Sequence, residues 1–284
     1  MAEELEIKLT VSEADQQKVQ AWLSNDATAE YVGEKSLINR YFDTPAAALN
    51  HQKAALRVRQ AGDKYIQTLK TRGEFVNGAH RRQEWEWPLP GPDLSLGLLA
   101  DTPLADRINL AELEVVFETN FQRQVWMIRR EDAEVEVALD SGTVASRGRT
   151  EPLNEVEFEL KSGNPAILMS LARELAEQIP VFLNLVSKAE QGYYLAGLYE
   201  PRAEPEAGAL SVTGFLYQVS LAWLQGSGWK AGGNDLSKVE QAAGKAGAET
   251  ELKGVLEALD QGAAVRELVR SPELGQLQLQ LAAA

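Results

Sequence analysis

Short segments of strict alternation between apolar and charged residues dominate the first 200 positions of the chain. In an extended strand, residues i, i+2 and i+4 share one face. Leu5, Ile7 and Leu9 therefore oppose Glu4, Glu6 and Lys8, and Leu56 and Val58 oppose Arg57 and Arg59. Trp85 and Trp87 oppose Arg82, Glu84 and Glu86; Leu113 and Val115 oppose Glu112 and Glu114. Val135, Val137 and Leu139 oppose Glu134, Glu136 and Asp140, and Val156, Phe158 and Leu160 oppose Glu155, Glu157, Glu159 and Lys161. The candidate strands are 3–9, 36–43, 54–60, 64–71, 80–87, 111–118, 124–130, 133–140 and 153–161, nine segments for roughly eight strands, give or take one, enough to enclose a small-ligand cavity.

Helical periodicity is sparser. Ser12 caps a predicted helix through Leu23, Asn164-Pro165 opens one whose stripe is Leu168, Leu171, Ala172, Leu175 and Ile179, and Ser187 opens one through Leu198. Another is predicted over 93–108. After the linker-like stretch 202–208 the pattern is helical only: 210–224, 237–259 and 262–269, with ambiguous final residues. The expected organisation is an N-terminal unit over 1–200 and an α-helical C-terminal region over 201–284, where Trp223 and Trp229 dock the helices onto the rest or onto a protein partner.

Charged strand faces usually meet water beside Ser, Thr and Asn. Here they are almost purely Glu, Arg and Lys, and carboxylates of one sign would repel across neighbouring strands. The set makes sense if the strands close and the charged faces line a lumen, with the apolar faces outside under the helices. Closure also removes sheet edges. The fold expected is α+β: an eight-stranded antiparallel β-barrel with a charged lumen, covered by helices, plus the helical appendage.

The 284 residues carry a net charge of -14, of which only -3 falls after residue 200. That argues against a general nucleic-acid or anionic-membrane binder. No apolar run approaches the ~20 residues of a membrane span, and the acidic start MAEELE does not read as a signal peptide. There is no cysteine, which removes thiolate chemistry and fits the cytoplasm; the two histidines, His51 and His80, are read as a turn residue and an exposed strand start. Carboxylates without thiolate or imidazole suit Mg²⁺ or Mn²⁺, and guanidinium and ammonium groups suit phosphate oxygens. Both in one cavity favour phosphoryl chemistry.

The chain resembles the CYTH superfamily, the triphosphate tunnel metalloenzymes. The residues that carry the likeness are Glu4-Leu-Glu-Ile-Lys8 (ExExK), Arg40-Tyr-Phe-Asp-Thr-Pro45, Leu56-Arg-Val-Arg59, Thr68-Leu-Lys-Thr71, Arg82-Gln-Glu-Trp-Glu86, Ala138-Leu-Asp140-Ser-Gly142, Glu155-Val-Glu-Phe-Glu159-Leu-Lys161, and Ser187-Lys188 with Gly192-Tyr193. The resemblance implies a tunnel that hydrolyses a triphosphate with a divalent metal, and bacterial inorganic triphosphatases are the nearest group. It implies Glu4, Glu6, Glu157 and Glu159 as metal ligands, supported by Asp140 and Glu155. It implies Lys8, Arg57, Arg59, Lys70, Arg82, Arg123 and Lys188 as phosphate holders, with Glu4, Glu6 and Lys8 at the chemistry. The tail has no histidine and is not assigned to the histidine-bearing helical domain that often follows in that group. Other readings are an organic triphosphate as substrate, for hydrolysis or cyclisation, and a non-catalytic polyphosphate-binding module.

Overall fold

The computed structural model describes every residue except 1, 72, 77, 105–107, 131 and 204–205, so parts of the anticipated 93–108 helix and of the 202–208 linker lie outside the described residues. The strands are β1 (Ala2–Thr10), β2 (Ala29–Asp43), β3 (Ala55–Ala61), β4 (Lys64–Lys70), β5 (Glu74–Val76), β6 (Ala79–Leu89), β7 (Glu114–Arg130), β8 (Ala133–Ser146), β9 (Arg149–Ser162) and the two-residue β10 (Phe182–Leu183). The order β1-β9-β8-β7-β2-β3-β4-β6 returns to β1 through an antiparallel β1–β6 pairing, which closes eight strands into a barrel; β5 and β10 are added at its rim.

The helices are α1 (Gln16–Asn25), α2 (Ala48–His51), α3 (Ala166–Ala176), α4 (Lys188–Ala196), α5 (Val212–Gln225), α6 (Ser237–Ala246), α7 (Glu249–Asp260), α8 (Val265–Leu268) and α9 (Pro272–Ala282). No described helix is long and apolar enough to cross a membrane. The largest core lies outside the barrel. There the apolar faces of β1, β8 and β9 (Ile7, Leu9, Val135, Val137, Val156, Phe158) meet Val19 and Leu23 of α1, Leu168, Leu171 and Leu175 of α3, Phe215 and Val219 of α5, and Leu274 and Leu277 of α9. The C-terminal helices thus share a core with the barrel, and Trp223 stacks on Phe182 of β10 at 5.9 Å.

One helix sits on the inner face. Tyr193 and Leu195 of α4 pack with Tyr41, Phe117, Phe121 and Val144, so one end of the lumen is filled by an apolar plug where the alternation predicted charge throughout. A capping box at Ser187 and Glu190 starts this helix, and Gly197 ends it in the left-handed region (φ 71°). Asp43 serves the fold: its carboxylate accepts from the backbone N–H groups of Thr44, Leu49 and Asn50 and pins the turn into α2.

Several expectations change. The segments predicted at 111–118 and 124–130 fall, from Glu114 on, in one strand whose inner face is Phe117, Thr119, Phe121 and Arg123; Glu114 is exposed at its start, beyond a register shift, and Glu112 lies in a 3₁₀ turn. The 237–259 helix breaks at Gly247, whose φ of 66° ends α6. Residues 93–108 contribute only a short 3₁₀ turn among those described. The C-terminal residues form α9, whose Gln278 is completely buried.

Candidate active site

Register alone builds the site. Glu4 stands opposite Arg82, Glu6 opposite Glu159, Lys8 opposite Glu157, Lys70 opposite Glu84, Asn39 opposite Arg59, Tyr41 opposite Arg57, and Asp140 opposite both Arg123 and Glu155. These side chains converge on a cavity of about 710 Å³, lined among others by Glu4, Glu6, Lys8, Arg57, Arg59, Lys70, Arg82, Arg123, Glu157, Glu159 and Lys188. Asp140 and Glu155 are fully buried behind that lining.

The ionic groups form three knots. In the first, Glu4 accepts from Lys70 Nζ at 2.8 Å and from Arg82 Nε at 2.8 Å, while Arg82 Nη2 donates to Glu6 at 2.8 Å. In the second, Arg123 holds Asp140 through two bonds of 2.7 Å and Glu157 through one of 2.6 Å. Lys188 Nζ stands 2.5 Å from Glu157, 2.7 Å from Glu155 and 3.0 Å from Asp140. Lys8 completes this knot, 3.4 Å from Glu155 and hydrogen-bonded to the Val186 carbonyl. The third is sparse: Arg57 reaches Glu84 only at 3.8 Å and Glu86 at 4.0 Å, and Arg59 donates to Asn39 Oδ1 at 2.8 Å.

The electrostatics follow from this distribution. Burial opposes the charge on Glu4, but Lys70 and Arg82 outweigh it and hold its carboxyl well below the usual range. Burial, with Glu4 and Glu157 nearby, pushes Glu6 up to about 7 against the pull of Arg82. Burial and the repulsion of Arg57 and Arg123 push Arg59 down to about 9, so it remains a cation at neutral pH in want of an anion. Lys188 is driven upward, burial being overcome by Glu155, Glu157 and Asp140.

Sequence reasoning misplaced or missed some residues. His80 is not an exposed strand start: it lines the cavity, stacks on Phe75 at 4.5 Å, and burial with Arg82 and Lys8 nearby pushes it down to about 3. Glu112 accepts from Asn109 at the surface, Glu134 pairs there with Arg129, and Glu114 is exposed, so none of the three faces the lumen. Lys161 sits at the cavity margin, 2.7 Å from Glu159. Asn39, Tyr41 and Gln191 (donor to Glu155 at 3.1 Å) carried no ionic signal, because neutral residues do not stand out in a charged face.

Among the described residues, no three carboxylates or imidazoles are gathered as the side chains stand into a group that could hold a metal ion, because the basic residues engage them. The donor set nonetheless fits a hard divalent cation: Glu4, Glu6, Glu157 and Glu159 offer only oxygens. Two of them, Glu6 and Glu159, sit where burial and neighbouring carboxylates disfavour their negative charge. A cation would relieve that.

A closed antiparallel barrel with basic and acidic walls facing one cavity is the architecture of a tunnel domain. The chain matches the CYTH domain family over residues 2–193, and it belongs to that family. It is 32% identical over 196 residues, 69% of its length, to an inorganic triphosphatase of Haemophilus influenzae; it spans about half (55%) of the length of that relative. Among solved structures it is similar to a protein from Hippeastrum described as revealing a dominant triphosphatase activity, at 21% identity and a TM-score of 0.51, covering 67% of this chain and 95% of that one, a likeness of fold.

Proposed function

We propose that this chain hydrolyses inorganic triphosphate to pyrophosphate and phosphate inside its barrel, with a divalent metal ion as cofactor. The carrying observation is Arg59 with Arg57: guanidinium groups lining the lumen, Arg57 buried and Arg59 half-buried, the latter without a carboxylate partner among the described residues, facing an acidic wall that is itself overcrowded. Such a pair of walls supports binding of a polyanion and a cation together. Family membership and the Haemophilus relative point the same way.

In this reading Arg57, Arg59, Arg123 and Lys188 hold phosphoryl oxygens, and Lys8, Lys70 and Arg82 join them by exchanging a carboxylate for phosphate. Glu4, Glu6, Glu157 and Glu159 would hold Mg²⁺ or Mn²⁺, and Asp140 and Glu155 orient Arg123, Lys188 and Lys8. The ion, when bound, offsets phosphate charge and acidifies water. A protein of charge -14 gains little from long-range attraction of a polyanion, so the cation is what joins substrate to acidic wall. Residues 1–200 are read as the tunnel unit and 201–284 as a helical part built onto it.

One observation favours an organic triphosphate as a second reading. The cavity lining also includes Tyr199, Tyr217, Gln218 and Lys53, whose ammonium lies 5.8 Å from the Tyr199 ring. Phosphate release from inorganic triphosphate, ATP, thiamine triphosphate and long-chain polyphosphate, each with Mg²⁺, Mn²⁺ and chelator, separates the two. Fastest turnover of inorganic triphosphate is expected. Preference for an organic substrate moves the assignment to the second reading, and release from none rejects both in favour of a binding module.

A further inference from the structure

Residues 181–187 form a strap between α3 and α4, and Val181 through Val186 are almost completely buried. A buried backbone needs a partner for each N–H and C=O. Barrel strand β1 serves one edge: Leu183 pairs with Leu9, Phe182 with Thr10, and Asn184 N–H donates to the Lys8 carbonyl at 3.2 Å. The other edge is served by the C-terminal helices. The amide of Gln278 on α9 clasps Leu183 from both sides, accepting from its N–H at 2.9 Å and donating to its carbonyl at 3.1 Å. Ser220 on α5 accepts from the Leu185 N–H at 3.1 Å, and its hydroxyl donates to the Leu216 carbonyl at 2.9 Å.

Both clasping residues are wholly buried polar side chains on otherwise apolar helix faces. One turn before Gln278, α9 presses its backbone directly on the strap: a β-carbon at Gly275 would lie 2.0 Å from the Val181 carbonyl. The strap then delivers two groups to the cavity. Its Val186 carbonyl accepts from Lys8 Nζ, and Ser187 caps α4 so that Lys188 projects onto Glu155, Glu157 and Asp140.

We infer that Gln278 and Ser220 are positioning residues for Lys188: the C-terminal helices fix the strap against the barrel, and the strap sets how far α4 carries its lysine into the cavity. The helical tail is therefore part of the active-site architecture, although the ion pairs of Lys188 among the described residues are all with barrel carboxylates. The inference deepens the triphosphatase reading and rests on it for its kinetic readout.

The test uses the full chain and five variants, Gln278→Leu, Ser220→Ala, Lys188→Ala, and Gln278→Leu and Ser220→Ala each combined with Lys188→Ala, each assayed well below its melting temperature. KM and kcat for inorganic triphosphate with Mg²⁺ are measured beside the Kd for triphosphate by calorimetry. Gln278→Leu is expected to raise KM and Kd about tenfold with kcat little changed, and Ser220→Ala to raise them less. Because the effect passes through the lysine, Gln278→Leu should cost less than about twofold in the Lys188→Ala background. Unchanged KM and Kd in folded Gln278→Leu, or the same tenfold loss in both backgrounds, would overturn the inference. If Gln278→Leu does not fold, Ser220→Ala decides by the same criteria. A wild-type protein that binds triphosphate without turning it over rejects the triphosphatase reading alone, and the Kd values still judge the positioning role.

Discussion

Gly192 of α4 lies so close to Phe117 of β7 that a β-carbon built on it would stand 2.1 Å from the ring. Phe117 cannot retreat, because it stacks on Tyr41 at 4.4 Å and meets Tyr193 edge-on at 5.1 Å. The helix bearing Lys188 is thus seated by the lack of a side chain. Gly192→Ala should destabilise the protein by about 1–3 kcal/mol and raise KM for triphosphate as Lys188 lifts from Glu157. A melting curve and kinetics check this; an unchanged melting temperature would show that α4 has room to spare.

Glu4→Gln and Glu6→Gln should each remove turnover while leaving the far-UV circular dichroism unaltered. Each change keeps the shape of the side chain and deletes the charge that Arg82 and a divalent cation would compete for. Full activity of either variant at saturating Mg²⁺ would take that residue out of the chemistry.

Arg57→Ala and Arg59→Ala should act mainly on KM, by roughly 10- to 100-fold, as expected for lost charge-assisted bonds to phosphate. Arg59→Ala also relieves repulsion with Arg57 and Arg123, so the melting temperature of the substrate-free variant should rise or hold. A fall of several degrees with KM intact would mean that the arginine serves folding instead.

Metal removal offers a check that needs no turnover. A divalent cation that binds only the folded protein raises its melting temperature by mass action. Addition of Mn²⁺ to chelator-treated protein should raise the midpoint, and the rise should vanish in Glu157→Gln. An equal rise in that variant would place the cation elsewhere.

His80 gives the pH prediction. Its folded pKa, about 3, lies below the ordinary 6.5, so the folded state resists taking up the proton that the unfolded chain accepts. Stability from this group is complete above 6.5 and is lost as the pH falls from 6.5 toward 3. Between pH 7.5 and 5.5 the wild-type protein should lose about 1 kcal/mol more than His80→Leu does. Denaturant titrations at the two pH values measure it, and parallel losses would show that His80 titrates normally.

The barrel was largely legible in the sequence because its inner face is ionic and its outer face apolar, so period-two alternation survives in β1, β3, β6, β8 and β9. The pattern fades where the two faces are not opposites. Residues 29–35 belong to β2, but apolar and polar residues are mixed on both of its faces there and most are exposed, Tyr31 and Val32 included. Around Asn120 and Gln122 polar residues interrupt the pattern, which made one strand read as two. Of the site, the Glu, Arg and Lys positions could be read from the motifs. Their partners could not: nothing local to Gln278 announces Leu183, and nothing near His80 announces Phe75 across a hairpin.

β1 finds its neighbours at residues 80–84, 155–159 and 182–183. During synthesis β1 must therefore wait until β9, about 150 residues later, has left the ribosome before the wall can close, and such distant pairings are slow to form. Until then Lys8 and Arg123 lack the β9 carboxylates, Glu155 and Glu157, that pair with them in the closed barrel. Ionic strength and polyphosphate in the surroundings during translation should accordingly govern the yield of correctly closed molecules more strongly than they govern the finished protein.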